Sequence, residues 1–514
     1  MLSGMESGET GAVLVVGAGP TGLVLANELA LAGVGVTVAE RQAVPSGQSR
    51  GGGVNPRTAE VLAMRGLLDA VAARAVPREG GGAHFAGLPV RLDARPWRTR
   101  HPGGLLVPQD RMEEVLDARV REQGVTVRRS TALTGLVQDE DGVTAVVAGP
   151  DGEHRLRCAY LVACDGGHST VRKLVGAAFP GRSGTMSAVS ADVDLASASA
   201  TVPRTAGHMS TLQRTGGGYW MLLHPLDGDA GADSGYRVVF GAPGRPAPPR
   251  EAPVTAEEVG AALAAVHGPG TVLRRLRWGT RFSDASRQLA AYRHGRVLFA
   301  GDAAHIHLPI GGQGLNLGVQ DAINLGWKLG AAVRGAPDAL LDSYHAERHP
   351  VAARVLALVR AQGVIMNPPE EADDVRALRD VVIDLARTPD GNRHLAGLMT
   401  GLAVRYDLDG SPDPLVGSRM VDLSLHTADG PTTVSTLLRS GRGLLLDVTG
   451  AVRPATRAGV DHVTARVVDS VVGTALDADR VLVRPDGHVC WAGPAGSSPD
   501  AALRRWFGAV PAVA

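Results

Sequence analysis

Gly17-Ala18-Gly19-Pro20-Thr21-Gly22 is a G-x-G-x-x-G run set between an apolar stretch and a helix-forming one. Each glycine has a physical task. Gly17 permits a tight turn, Gly19 lets backbone approach a pyrophosphate, and Gly22 lets a helix pack close to a sheet. A helix opening at Pro20 and Thr21 points free N–H groups and its positive dipole end at phosphate oxygens. Glu40 ends the next apolar run, where a carboxylate accepts hydrogen bonds from ribose hydroxyls. In a chain with 67 glycines the hexapeptide alone is weak evidence. Strand, helix and Glu40 in register make it strong, although they do not separate FAD from NAD.

A second group lies far along the chain. Asp302 follows the apolar run Arg296–Ala300, so its carboxylate emerges at the carboxyl end of a predicted parallel strand, where ligands bind in α/β sheets. Gly311, Gly312 and Gly314 precede a long predicted helix, whose dipole favours negative charge at its start. His305 and His307 stand close to Asp302. Buried, hydrogen-bonded histidines are the plainer reading, and a proton relay is the other. No nucleophile–base triad is evident.

These residues need a sheet to position them. Residues 12–17 read as a buried strand, Thr21–Ala32 as a helix and Val34–Ala39 as the next strand, which makes a βαβ unit. A helix with an apolar face is predicted over Arg57–Ala72. Another follows Val107, with a short strand near Val125 and strands at Thr144–Val147 and Arg155–Ala163. Residues 185–290 carry short strand-like runs, Tyr219–Leu223 and Tyr236–Phe240 among them, broken by Gly, Pro and Asp. That pattern predicts a mostly antiparallel sheet inserted into the nucleotide fold. A long helix is predicted over Gly314–Val333. Past residue 395, strands at 443–448, 462–468 and 480–485 and a helix over Ala501–Phe507 suggest a small third domain.

Composition narrows the class. The 514 residues suggest two to four domains. Lys plus Arg and Asp plus Glu balance at 52 each, which removes the electrostatic signature of a nucleic-acid binder. Cys158, Cys164 and Cys490 are too few for a disulfide framework and show no metal-ligand spacing, so no metal and a reducing cytoplasm are expected. The early apolar stretch Ala12–Val16 is too short for a signal peptide or a membrane span.

Cys164-Asp165-Gly166-Gly167-His168-Ser169-Thr170-Val171-Arg172 and Gly301-Asp302-Ala303-Ala304-His305, followed by Pro309 and Gly311-Gly312-Gln313-Gly314-Leu315-Asn316, choose between the dinucleotides. With the first fingerprint, they resemble in order the three signatures of the FAD-dependent aromatic hydroxylases, of the para-hydroxybenzoate hydroxylase type. The resemblance covers about residues 11–360. It continues more weakly to the C-terminus, where the subgroup acting on aromatic polyketides, such as the angucycline hydroxylases, carries a thioredoxin-like domain. The implied fold is α/β. It has a Rossmann-like FAD-binding domain with a parallel sheet (11–75, 100–184 and 290–395), an inserted, mostly antiparallel substrate domain (76–99 and 185–289), and a thioredoxin-like domain (396–514).

The resemblance also implies roles. Gly17, Gly19, Pro20, Thr21, Gly22, Glu40, Gln109, Asp302, Pro309, Gly312, Gly314, Leu315 and Asn316 would hold FAD, joined by Arg41 and by Arg50 beside Gly51–Gly53. Asp165 and Arg172 would serve FAD and a transient NAD(P)H, or fix a turn as a structural pair. The middle segment would form the substrate pocket, with Trp220, Met221, His224, Arg237, Trp278 and Phe282 as candidates against strand-core packing as the alternative. The chemistry implied is aromatic hydroxylation of a polycyclic polyketide by a flavin hydroperoxide, using O2 and NAD(P)H, with NADPH favoured. Baeyer–Villiger oxidation or epoxidation on the same fold is the alternative. No second G-x-G-x-x-G precedes a strand–helix unit, so no separate nicotinamide domain is expected. Cys490 stands without a C-x-x-C partner, which argues against dithiol exchange. The expected partners are a small aromatic molecule and O2, with no nucleic acid and no membrane; a homodimer stays open.

Overall fold

Val13–Val16, four buried β-favouring residues, form the central strand of the main sheet. A run buried on both faces suits a parallel sheet covered by helices. Val36–Ala39 pairs parallel on one side and Tyr160–Ala163 on the other. Thr126–Arg128 and Val297–Phe299 complete five parallel strands, and Arg293–His294 adds an antiparallel edge. Taken in chain order, the parallel strands lie 5-4-1-2-3 across the sheet, so the direction of winding reverses at Val13–Val16. In open α/β sheets the carboxyl ends at such a reversal form the binding crevice. The computed structural model describes residues 7–8, 11–45, 47, 51–77, 83–228, 235–242, 248–249, 251–366, 372–408, 410–449, 459–468, 472 and 476–508.

Helix Pro20–Leu31 leaves the central strand and packs along helix Gln313–Val333. The contact is close because the second helix presents glycines. A Cβ on Gly318 would sit 2.3 Å from Thr21 Oγ1, and one on Gly326 would sit 2.3 Å from Glu28 Cβ.

Two sequence expectations are corrected in this half. The helix expected over Arg57–Ala72 is two helices, Pro56–Ala63 and Leu68–Ala72. The chain turns between them at Gly66, whose φ of 67° ends a right-handed helix. The strand expected over Arg155–Ala163 divides at Ala159. Gly152–Cys158 joins an antiparallel sheet with Val143–Gly149 and Ala132–Gln138, and Tyr160–Ala163 enters the main sheet. The N–H groups of Ala159 and Tyr160 both turn to the Ala12 carbonyl, which is where the partner changes.

The inserted sheet has the order Gln213–Gly216, Tyr219–Pro225, Tyr236–Gly241, Ser187–Ser197, Val272–Ser283, antiparallel throughout. Side chains alternate across it. Val189, Ala191, Val193, Met221, Leu223, Val238 and Phe240 pack on helix Ala256–His267 through Val259, Ala262 and Leu263. Among the described residues, the opposite face carries no comparable core.

Helices Asp338–Met366, Asp373–Arg387 and Pro389–Thr400 were not read from the sequence. Ile365, Ala396 and Met399 from these helices cover Phe85, Leu88 and Leu92. In the C-terminal part, Val460–Thr464, Gly443–Asp447, Arg480–Val483 and Val489–Gly493 make a sheet with one parallel pair and two antiparallel ones. The single strand expected over 462–468 again divides, since Arg466–Val467 pairs instead with Ser424–Thr427. Helix Asp500–Phe507 closes the module.

Buried ions join this module to the rest. Both carboxylate oxygens of Glu347 accept from Arg484 at 2.7 Å, and Lys328 Nζ lies 2.9 Å from Glu347. Asp486 pairs with Arg484, and Asn324 donates to both Glu347 and Asp486. Burial disfavours the Glu347 charge, but Arg484 and Lys328 outweigh it and hold its pKa down at about 2. Burial pushes Lys328 down to about 8 despite Glu347. Arg65 forks onto Glu28 at 2.6 and 2.7 Å and also donates to the carbonyls of Leu438 and Pro485. Among the described residues, no helix is long and apolar enough to cross a membrane.

Candidate active site

A cleft of about 540 Å³ opens at the reversal point of the main sheet. Gly17, Gly19, Pro20, Thr21, Glu40 and Arg41 line it together with Gly51–Gly53, Gln109, Asp302, Pro309, Gly312, Gly314 and Leu315. The fingerprint turn leaves no room for side chains. Gly17 has φ 107°, and a Cβ there would lie 2.4 Å from the Cys164 carbonyl oxygen. At Gly22 it would lie 2.0 Å from the Gly17 oxygen, so Gly22 sits behind the cleft wall and sets how closely the helix approaches. Gly19 faces open space, which leaves its backbone bare to a ligand. Pro20 begins the helix, where a missing N–H costs nothing.

The carboxylate of Glu40 is fixed at the cleft edge. Its Oε2 accepts from Ala18 N–H at 2.8 Å and its Oε1 from Gln42 N–H at 2.9 Å. Gln109 clamps the glycine loop. Its Oε1 accepts from Gly51 N–H at 3.2 Å, and its Nε2 donates to Glu113 at 2.7 Å. Burial raises the Glu113 pKa, with Gln109 opposing. Asn316 does not line the cleft. It donates to the carbonyls of Gly53 (2.8 Å) and Gly312 (2.7 Å) and accepts from Asn55 N–H, so it ties two glycine-bearing walls together. Arg50 lies outside the described residues.

Asp302 sits on a single 3-10 turn, Gly301–Ala303, and is exposed to the cleft. Its carboxylate has no hydrogen bond or ion pair among the described residues. His305 is buried, with Nε2 2.7 Å from Asp321. His307 Nδ1 donates to the Leu308 carbonyl at 2.8 Å, and burial lowers its pKa, so the ring is neutral near pH 7.

Asp165 and Arg172 turn to separate partners. Asp165 Oδ2 accepts from Thr170 and Val171 N–H at 2.7 and 3.1 Å, capping a short helix from the cleft wall. Its Oδ1 has no partner among the described residues. Arg172 donates to the carbonyls of Ala303 and Gly167 and lies 3.9 Å above the Phe179 ring, away from the cleft lining.

Trp220, His224, Arg237, Trp278 and Phe282 share the face of the inserted sheet that points away from helix Ala256–His267. Met221 does not. It is fully buried under that helix, because alternation places it opposite Trp220 and Leu222. Arg237 Nη2 donates to Asp192 at 3.0 Å, and its guanidinium lies 5.7 Å from the Trp278 ring. None of the six lines the 540 Å³ cleft. Sequence reasoning missed Asp192, since only strand register brings it opposite Arg237. It also gave no role to Arg129 and Gln42 in the cleft wall, which carry no motif signal, or to His168, which lies inside the second signature.

The donor set suits an extended dinucleotide. Backbone N–H groups stand at the glycine turn, Glu40 is held rigid, Asp302 has no partner among the described residues, and Gly19 and Gly312 would each meet nothing on gaining a Cβ. Fold and site together define a dinucleotide-binding α/β protein with an inserted antiparallel sheet. A family model described as FAD binding domain matches residues 10–359, and one described as aromatic-ring hydroxylase, C-terminal, matches 413–510. The chain belongs to the FAD-dependent aromatic-ring hydroxylases, a family of flavin-dependent monooxygenases. It is 47% identical over 512 residues to the 12-dehydrotetracycline 5-monooxygenase/anhydrotetracycline 6-monooxygenase of Streptomyces rimosus, covering 96% of this chain and 98% of that protein. Among solved structures, the anhydrotetracycline hydroxylase OxyS of Streptomyces rimosus superposes with TM-score 0.87 at 45% identity, covering 98% and 100% of the two chains. CabE, an aromatic hydroxylase from angucycline biosynthesis, gives TM-score 0.85 at 40% identity, covering 98% and 100%.

Proposed function

We propose that this protein hydroxylates a polycyclic aromatic polyketide with O2, taking electrons from NAD(P)H and preferring NADPH. The observation that carries the reading is the cleft at the sheet reversal, in a chain 47% identical to a tetracycline-pathway monooxygenase over nearly its whole length. Gly17–Gly22, Glu40, Arg41, Gln109, Asp302 and Gly312–Leu315 would hold FAD, with Arg50 beside the glycine loop. Bound FAD supplies the reduction by nicotinamide and the activation of oxygen. The chain's own groups orient it and exclude water. The start of helix Gln313–Val333 turns its N–H groups toward the cleft, which favours negative charge there. The face bearing Trp220, His224, Arg237, Trp278 and Phe282 would hold the substrate, with aromatic surface for stacking and Arg237 for an acidic oxygen. The three units would be an FAD-binding domain (11–75, 100–184 and 290–395), a substrate domain (76–99 and 185–289) and a C-terminal domain (396–514).

Stopped-flow reduction of the bound FAD by NADPH and by NADH tests this, with and without a panel of polycyclic phenols. Faster reduction with a phenol, more so with NADPH, and one new hydroxyl in the product support the reading. A ring-expanded lactone from a ketone or quinone substrate, with no phenol accepted, would replace hydroxylation by Baeyer–Villiger oxidation.

A further inference from the structure

One buried carboxylate pins both ends of the turn that carries Asp302. Asp321 lies within helix Gln313–Val333 and is fully buried. Its Oδ2 accepts from Gly301 N–H at 3.2 Å and contacts His305 Nε2 at 2.7 Å, so the segment from 301 to 305 is held on either side of Asp302. Its Oδ1 accepts from Arg348 Nε at 2.7 Å. Arg348 is itself fully buried and donates to the Leu317 carbonyl and to the Tyr406 hydroxyl at 3.2 Å. The Tyr406 ring stacks on His488, with centroids 4.2 Å apart and planes 29° from parallel. His488 stands in the C-terminal module, where its N–H donates to Asp486, the partner of Arg484. A continuous path of buried hydrogen bonds, ion pairs and one ring stack thus runs from the cleft to the C-terminal sheet.

We propose that Asp321 is the positioning residue for Asp302, and that the C-terminal module acts through Tyr406 and Arg348 as a brace on this turn. The proposal rests on the reading of the cleft as the FAD site. It gives the module a mechanical task that needs no thiol pair, in keeping with Cys490 standing alone. The turn is short, and Gly301 has φ 62°, left-handed backbone that glycine adopts without strain. Asp302 has no partner of its own among the described residues, so its direction depends on what holds the turn: Asp321 at residues 301 and 305, and Arg172 on the Ala303 carbonyl between them. Asparagine at 321 would keep the volume but turn an NH2 toward one of the N–H groups that the carboxylate now receives.

The test is a double-mutant cycle on FAD release from the purified holoprotein, followed by the fluorescence of freed flavin. Asp302→Ala and Asp321→Asn should each speed release about tenfold, the loss of one charge-assisted hydrogen bond. The double variant should release FAD no faster than Asp302→Ala alone. Tyr406→Phe keeps the stacked ring and removes the hydroxyl. It should speed release about two- to threefold, the low end for a single hydrogen bond, and have no effect in the Asp302→Ala background. A simple loss of stability would act equally in both backgrounds. Multiplying effects of Asp321→Asn and Asp302→Ala overturn the positioning role. Unchanged release from Tyr406→Phe overturns the brace, and this isosteric variant decides it even if Asp321→Asn fails to fold. If Asp302→Ala itself leaves release unchanged, the reading of the cleft fails instead.

Discussion

Replacing Glu40 by glutamine changes one atom and asks whether this carboxylate reads the adenosine half of the cofactor. The carboxylate accepts two backbone N–H groups, from Ala18 at 2.8 Å and Gln42 at 2.9 Å. Glutamine has one acceptor oxygen, so in either orientation its NH2 faces a backbone donor. That mismatch costs about 1–3 kcal/mol and acts with or without ligand. A second loss falls on FAD alone. Ribose hydroxyls donating to a charged acceptor are worth about 1.5–3 kcal/mol, or about 10- to 150-fold in Kd. FMN has no adenosine and escapes this second loss. Titrating the flavin-free protein with FAD and FMN by flavin fluorescence separates the two. The Kd for FAD should rise at least about tenfold more than the Kd for FMN. Equal weakening of both would refute the assignment and leave Glu40 as a brace for the glycine turn only.

Three further outcomes follow from the same geometry. Glu347→Gln should lower stability by about 3–5 kcal/mol in denaturant unfolding, because Arg484 and Lys328 stay buried with Asp486 as their remaining carboxylate. An effect below about 1 kcal/mol would mean that water reaches the cluster. The acid limb of stability should carry the same signature. Glu347 is held at about 2 against an ordinary 4.5, so its contribution is full above pH 4.5 and drains away as pH falls toward 2. The shift is worth about 3 kcal/mol, and Glu347→Gln should flatten the fall in Tm over that range. Gly22→Ala places a methyl 2.0 Å from the Gly17 oxygen and should cost about 1–3 kcal/mol along with most of the bound FAD; a stable variant with full flavin content would contradict the close-packing argument.

The parts written locally were legible. Strand Val13–Val16, helix Pro20–Leu31 and helix Gln313–Val333 fall within two residues of their expected bounds, because glycine turns and apolar runs punctuate them. Residues with a motif behind them gather at one cleft: Gly17, Glu40, Gln109 and Asp302 meet although up to 285 positions separate them. Partner changes were not legible. Nothing in Arg155–Ala163 or 462–468 shows that a strand leaves one sheet for another, since both halves read as β. Met221 could have been set apart by alternation in Trp220–His224, a signal that was present and unused. Asp321, Arg348 and Tyr406 lie in helices or linking segments whose sequence does not say which buried charge they will meet.

The wiring of Arg65 also sets a timetable for the growing chain. Its guanidinium is buried on Glu28, but two of its acceptors are the carbonyls of Leu438 and Pro485. Arg57 likewise donates to the Asp486 carbonyl, 429 positions later. At about 5–20 residues per second, a ribosome takes roughly 20–85 seconds to deliver those acceptors. Early in that interval the first βαβ unit has its helix and two strands, but the fifth parallel strand of the main sheet, Val297–Phe299, has still to follow the whole inserted sheet. The half-made cleft therefore emerges with exposed apolar edges and unmet donors. A chain cut before Pro485 would leave Arg57 and Arg65 without these late acceptors, so a truncation near the C-terminus reaches back into the first domain.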